Sequence, residues 1–585
     1  MLKTNQLRRI RHLAVLMVSG LAVSLAFNSP AIAIERHPAP SPTAEKTSRL
    51  PGDTSLTGSD DATPLGVDLK GIVIETSPDA GTSNGNGVII RTDDPVINSP
   101  SLQSTLSSYV GQPLSQALVS SIRNDIIRHM RSNDRPLVAV IIPPQEVSSG
   151  TLTLAVIPYV VGEKSVERIP SQYQRTDEQH VLDTVRAQPG DPVSASELIE
   201  DLNWLHKNPF RKVGVIFKQG RVPGTTDLTL TLKDEKPWSA FAGYSNGGTS
   251  STGYDRVFLG GVRELPGDTF LSYQFTASPE TIYSGDRIFD FSGPRAYLSQ
   301  SAAYFVPFEN RHALTFTGSY VHTRSWVSSF FTRDSVVWEG KAEYAIPLPV
   351  LGPASEFIAG VEAKYQNSGL IFGGTPLTPN ALEIYQGFVG LRGENEINGG
   401  RLSYQLKGVV SPGGLTARNT NTAFAAVSGN AGDRAQYAYI NGLFDYSLPL
   451  PSDWSAKFTV GGQIANHSLP GLEEYSVGGD GSVRGYETNE LTGDNGLLLR
   501  GELHLPVFRH GPMELPVDMF AFADFGLVHD YATGSSRSIL GAGLGVNAKI
   551  TRNVSASAVW GHAFRKGVST SANSNRFHVS LVAAF

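Results

Sequence analysis

Thr269-Phe270-Leu271-Ser272-Tyr273-Gln274-Phe275-Thr276 alternates along its length. Leu271, Tyr273 and Phe275 fall on one side of an extended chain, and Ser272, Gln274 and Thr276 on the other. Successive side chains of a β-strand point to opposite faces, so this stretch reads as a strand with one apolar and one polar face. The same pattern returns in Ala313–Val321, where Leu314, Phe316, Gly318 and Tyr320 oppose Thr315, Thr317 and Ser319. In Ala456–Ala465, Phe458, Val460 and Ile464 oppose Lys457, Thr459 and Gln463. From Pro237 onward no sustained helical period stands out, and Gly, Asn, Asp, Ser and Pro separate the runs. Apolar against small-polar is what a wall with lipid outside and water inside requires, and an open sheet edge cannot sit in lipid. Residues 236–585 therefore read as a closed transmembrane β-barrel. About 350 residues at roughly 22 per strand and connection predict about 16 antiparallel strands, with 14 or 18 also compatible.

Composition agrees with that reading. Of 585 residues, only 17% are charged and 60 are Gly, while 27 Phe, 20 Tyr and 6 Trp are too much aromatic surface for a disordered chain. The absence of Cys excludes disulfide scaffolds, thiolate metal sites and cysteine catalysis. A net charge of −6 gives no basic field for nucleic acid. Beyond the N-terminus no apolar run reaches the ~18 residues of a membrane-spanning helix. Lys3, Arg8, Arg9 and Arg11, then the apolar Leu13–Phe27 and the small-x-small Ala31-Ile32-Ala33, read as a secretory signal peptide over residues 1–33. Residues 34–65, rich in Pro, Ser, Thr and Asp, read as a linker.

Between linker and barrel the chain repeats itself. Gly111-Gln112-Pro113-Leu114-Ser115 recurs as Gly190-Asp191-Pro192-Val193-Ser194. Each copy leads into a helical apolar face: Leu118, Ile122, Ile126, Ile127 and Met130 in the first, Leu198, Leu202 and Leu205 in the second. Ser194 and Glu197 are spaced as a capping box. Strand-like runs Asp68–Glu75, Leu137–Ile142 and Thr151–Ile157 complete the first copy; Lys164–Ile169, Lys212–Phe217 and Asp227–Leu232 complete the second. The order strand, helix, helix, strand, strand predicts two tandem α+β modules, 66–158 and 159–235. Tandem modules of this order, with the Pro-Leu-Ser helix start and the strand Gly150-Thr151-Leu152-Thr153-Leu154, resemble POTRA domains. Such sheets present edges able to accept an extended peptide as an added strand.

One loop narrows the class. In Gly478-Gly479-Asp480-Gly481-Ser482-Val483-Arg484-Gly485-Tyr486, the run Val483-Arg484-Gly485-Tyr486 resembles the tip of the sixth extracellular loop of POTRA-bearing barrels. Phe520-Ala521-Phe522-Ala523-Asp524-Phe525-Gly526 is similar to the aspartate-bearing inner strand of that superfamily, and Gly501-Glu502-Leu503-His504-Leu505 to the strand before it. The resemblance implies that the loop folds into the lumen and that Arg484 pairs with Asp524, with Glu502 near. An arginine held inside a barrel needs a carboxylate partner, and its planar fork suits one. The alternation around Asp524 does not by itself say which face is the lumen. The final strand Phe577-His578-Val579-Ser580-Leu581-Val582-Ala583-Ala584-Phe585 ends on an aromatic residue. Phe585 thereby resembles the signal read by outer-membrane assembly machinery.

Taken together, the chain resembles the two-partner secretion transporters, the ShlB/FhaC/HecB-type haemolysin secretion/activation proteins. The resemblance implies a Gram-negative outer-membrane location, with the modules in the periplasm and the barrel in the lipid bilayer. It also implies ATP-independent export of an unfolded partner exoprotein of large β-helical adhesin or haemolysin type, with no cofactor. A barrel-assembly factor is the alternative, and a passive porin a more distant one. Residues 34–65 show no helix suited to plugging the barrel. Gly243-Tyr244-Ser245-Asn246-Gly247 matches G-x-S-x-G formally, but no helical run follows it as a nucleophile elbow requires. The 13 His are scattered without a metal-ligand spacing, and His129, His180 and His206 read as surface or satisfied residues.

Overall fold

The computed structural model describes residues 58–77, 85–284, 287–288, 293, 295–377, 380–510 and 515–585. The expected signal peptide and most of the expected linker lie outside these residues. Chain contacts divide the protein into two compact units between Lys236 and Pro237.

In the N-terminal unit, β1 (Gly71–Glu75), β2 (Gly87–Ile90), α1 (Pro100–Ser107), α2 (Gln116–Ser132), β3 (Val138–Ile141) and β4 (Thr151–Pro158) form one module with sheet order β2-β1-β4-β3. The second contains β5 (Val160–Arg168), α3 (Glu178–Thr184), α4 (Ala195–Leu205), β6 (Arg211–Gln219) and β7 (Thr225–Asp234), ordered β5-β7-β6. The first carries one strand more than the expected order, β2, paired parallel to β1. Its Val88, Ile89 and Ile90 form an apolar run too short to read as a strand until β1 pairs with it. The repeat has a backbone cause: Gly111 and Gly190 both take positive φ (91° and 94°), which Gly adopts at little cost. Each then delivers a serine, Ser115 or Ser194, whose hydroxyl accepts the N–H of Leu118 or Glu197 and caps the helix. The Glu197 carboxylate turns to Arg186 at 3.2 Å. The helix faces read from sequence supply the cores: Ile122, Ile126 and Met130 pack on Leu152 and Leu154, and Leu198, Leu202 and Leu205 on Leu228 and Leu230. His206 accepts the Val213 N–H at 3.1 Å, so it is a satisfied core histidine.

The C-terminal unit is a closed antiparallel barrel of sixteen long strands among the described residues, running from Trp238–Ser245 to Ser574–Ala584. The first and last strands close it over Ser245↔Ser580 through Phe241↔Ala584. The alternation has the expected sense. Leu271, Phe316, Phe458 and Ile464 are exposed on the outer face, whereas Ser272, Thr276 and Gln463 are buried. Ser245 stands on the first barrel strand, between the second strand and the last. Phe585 exchanges backbone hydrogen bonds with Ala240 (2.8 and 3.1 Å) and leaves its ring outside.

The inner face departs from a uniformly wet lumen. Toward one end, Val321, Val337, Leu382, Ile384 and Val409 point inward and are buried. They pack on a helix of the connection 412–436, Asn421–Ser428, whose Phe424 is fully buried. This helix is too short for its periodicity to stand out in the sequence after Pro237. Thr420 caps it by accepting the Ala423 N–H, and Gly429 ends it in the left-handed conformation, both ordinary helix-boundary residues.

Candidate functional site

The connection between the eleventh strand (Ser455–Ala465) and the twelfth (Asn495–His504) folds inward, as a hairpin whose stem pairs Tyr475–Val477 with Leu491–Gly493. Its tip is the Val483-Arg484-Gly485-Tyr486 run, with Val483, Arg484 and Tyr486 at 0–2% exposure.

Arg484 uses all three nitrogens of its fork. Nε and one terminal nitrogen each reach an oxygen of Asp524 at 2.7 Å, and the other terminal nitrogen reaches Glu502 at 2.6 Å. The Arg484 backbone N–H adds a bond to Asp524 at 3.1 Å. Asp524 lies on the thirteenth strand (Leu515–Asp530) and Glu502 on the twelfth. Their outward neighbours Leu503 and Met519 are exposed, so both carboxylates aim into the lumen. The inward face, left open by the alternation, is thus the one bearing Phe520, Phe522 and Asp524. The guanidinium lies 3.7 Å from the Phe522 ring centre, an arginine–aromatic stack in a water-poor setting. Glu502 is itself oriented by His504 at 3.0 Å, and His504 by Asp518 at 2.8 Å. Arg500 lies 3.6 Å from Asp524 and donates to the Gly481 carbonyl, tying the wall to the loop just before the motif.

Glycines make the seat. Gly485 has φ +94°, and its backbone presses on the fifteenth strand (Val554–Ala563). A Cβ at Gly561 would lie 2.5 Å from the Gly485 nitrogen, and one at Gly541 2.0 Å from the Arg484 carbonyl oxygen. On the fourteenth strand (Ser535–Lys549), Gly543 and Gly545 leave room for the Phe522 and Phe520 rings. Reading from sequence missed these residues. Their signal was Gly541-Ala542-Gly543-Leu544-Gly545, a period-two run of glycines on one strand face. Tyr486 sends its hydroxyl to the carbonyls of Leu540 (3.0 Å) and Arg565 (2.8 Å). Beyond the motif, Glu487 accepts from Ser250 and Tyr254, and Glu490 from Ser569 and Thr570. The seven residues singled out from sequence thus divide: Val483, Arg484, Gly485, Tyr486, Asp524 and Glu502 converge on one buried contact, whereas Phe585 lies apart at the end of the last strand. The arrangement holds a loop against the barrel wall.

Comparison with known proteins places these features. The family model described as haemolysin secretion/activation protein ShlB/FhaC/HecB matches residues 360–548, which include the loop motif and both carboxylates. A ShlB-type POTRA domain model matches residues 92–158. Outer membrane transporter CdiB-2 of Burkholderia pseudomallei is 22% identical over 438 residues, 72% of this chain and 69% of that protein. Heme/hemopexin transporter protein HuxB of Haemophilus influenzae is 22% identical over 437 residues, covering 72% of each. Among solved structures, CdiB from Escherichia coli superposes with a TM-score of 0.63 at 16% identity, over 93% of this chain and 94% of that one. CdiB from Acinetobacter baumannii gives 0.56 at 16% identity, over 98% of each.

Proposed function

We propose that this chain, an outer-membrane transporter of the two-partner secretion family with its POTRA domain in the periplasm, passes one unfolded exoprotein through its barrel to the cell surface without nucleotide. The observation that carries the reading is the loop buried in the lumen and gripped by Arg484, Asp524 and Glu502. A barrel that served as an open pore would gain nothing from a charged side chain desolvated at its centre. The loop is therefore a gate, seated at rest and displaced during export. The modules capture cargo. Strand β6 pairs on one side with β7, has no strand on its other side among the described residues, and exposes Ile216 on its outer face. An extended peptide entering from the periplasm adds to such an edge through main-chain hydrogen bonds. Direction comes from cargo that folds outside and so does not slide back, as any process that depletes one state draws an equilibrium toward it.

The test is reconstitution. Liposomes containing only this protein should take up an unfolded partner exoprotein without ATP, and single-channel recordings should show a channel closed or narrow at rest. Deleting Gly478–Tyr486 should raise conductance and abolish secretion. A strict ATP requirement, or normal secretion after the deletion, overturns the reading.

A further inference from the structure

Eleven residues before Arg484, the same loop makes a second contact with the wall. The Glu473 side chain is 1% exposed. One oxygen accepts from the Lys364 ammonium at 2.6 Å; the other accepts from the Tyr439 hydroxyl at 2.8 Å and the Gln386 amide at 3.1 Å. These donors stand on the seventh (Glu356–Phe372), tenth (Tyr437–Pro449) and eighth (Asn380–Ile397) strands. The tip is held by strands twelve to sixteen, so the two contacts use different sectors of the wall. The donors are fixed in turn. Glu362 accepts from Lys407 at 2.9 Å and from Gln386 at 2.6 Å, and lies 3.5 Å from Lys364. Gln463 donates to the carbonyls of Glu473 and Asp494, joining the two ends of the loop to the wall.

Next to this contact the lumen is filled by apolar side chains. Leu469 and Leu472, at the start of the loop, pack with Phe424 of the helix Asn421–Ser428 against Tyr437, Tyr439 and Ile384. The helix-bearing connection and the loop are bonded to each other: Asn430 donates to the Ser468 hydroxyl at 3.0 Å, and the Arg434 N–H to the Ser468 carbonyl at 3.2 Å. The plug lies beside the ends of strands nine to twelve, which the long connections 412–436 and 466–494 join in pairs. In a barrel with its modules in the periplasm, that rim is the extracellular one.

We propose that Glu473 is a second latch, separate from Arg484, and that it holds shut a dry extracellular plug of Leu469, Leu472 and Phe424. The proposal rests on the loop being a gate. An apolar constriction resists water and ions until its parts separate, so it narrows the exit even when the tip is loose and limits the conductance that loosening the tip alone can give. A buried carboxylate bonded to an ammonium and two neutral donors resists release, because parting one member strands the others. Arg484 sets the loop tip within the lumen; Glu473 is a positioning residue that sets the plug. Export then requires both latches to open.

The chain contains no Cys, so single cysteines report on each latch. Leu472→Cys reports on the plug and Val483→Cys on the tip, both in purified full-length protein in detergent, where a soluble maleimide reaches both ends of the barrel. With both latches intact, the two cysteines should label slowly. Glu473→Leu should speed labelling of Leu472→Cys by at least about ten-fold, well within what breaking a buried ion pair shifts. Glu473→Gln should fall between, because its amide oxygen still accepts from Tyr439 and Gln386. Val483→Cys should stay protected in both. Arg484→Ala should give the converse: Val483→Cys labelled, Leu472→Cys protected. Lys364→Met, which opens the latch from the other side, should match Glu473→Gln or exceed it. All comparisons are made on chains that keep the heat-dependent gel mobility of a folded barrel. The proposal is overturned if Leu472→Cys stays protected in both folded Glu473→Leu and folded Lys364→Met chains. It is also overturned if both cysteines become reactive together in each variant, which would mean a single latch. The gate itself is judged separately, by conductance after deletion of Gly478–Tyr486.

Discussion

Arg484→Ala removes three side-chain hydrogen bonds to two carboxylates and the stack on Phe522. It leaves the Asp524 carboxylate, whose side chain is 0% exposed, with Arg500 at 3.6 Å and one backbone N–H at 3.1 Å. Breaking a buried pair costs roughly 3–5 kcal/mol. The donors that remain on Asp524 place this case near the lower end, about 3 kcal/mol. At 1.36 kcal/mol per decade, that shifts the balance between seated and released loop by about two decades. Asp524→Ala removes the same contact from the other side and should shift it comparably. If the two residues act through one contact, the double variant should be no worse than the worse single, with a coupling energy of about 3 kcal/mol where independent sites give none. Arg484→Lys should lose part of the effect, because an ammonium cannot make the bidentate contact. The assay is export of the partner exoprotein from cells, alongside conductance in planar bilayers. Heat-dependent gel mobility checks that each barrel has reached the membrane folded. Additive losses in the double variant would refute a shared contact, and full export by Arg484→Ala would refute any role for it in export.

Gly561→Val, which places atoms inside the Gly485 backbone, should unseat the tip and reproduce the Arg484→Ala conductance phenotype; a closed channel in a folded variant would contradict the seat. Gly485→Ala, at φ +94°, should cost about 1–2 kcal/mol of loop seating and give a weaker version of the same phenotype in recordings. Burial, reinforced by the charges of Asp494, Asp433 and Asp530, pushes the loop carboxyl of Glu474 up to about 8. An acid whose folded pKa is raised is protonated in the fold, so its support is whole at low pH and lost as pH rises to about 8. Channel openings should therefore increase between about pH 5 and 9, and Glu474→Gln should flatten that dependence in the same recordings. In the second module, Asp234 is buried, yet hydrogen bonds from Thr176 and from the Arg175 and Thr176 backbone outweigh that burial and hold its carboxyl below the usual range. Asp234→Asn should destabilise that module by about 1–3 kcal/mol, seen as faster proteolysis within 159–235 of the folded protein.

The sequence by itself determined what is periodic or local. Alternation decides which face of Thr269–Thr276 meets lipid, because a two-residue period survives any curvature of the sheet. Gly111 and Gly190 with their following serines mark two modules, because a left-handed glycine and a helix cap are properties of five adjacent residues. The loop motif stood out because its residue types are unusual together, and Arg484, Asp524 and Glu502 were assembled by resemblance. Tertiary structure decided what depends on distant elements meeting. The inward aim of Asp524 follows from barrel closure, which no run of Phe-Ala alternation contains. The glycines at 541, 543, 545 and 561 read as weak strand residues until a loop tip and two aromatic rings are laid over them. The Glu473–Lys364 pair spans 109 positions, and its two residues carry no local signal. Nor could strand periodicity show that Val337 and Ile384 line a dry plug. An inward apolar residue is favourable only where another segment fills the lumen, and that segment, Asn421–Ser428, is eight residues long and stabilised mainly by burial of Phe424.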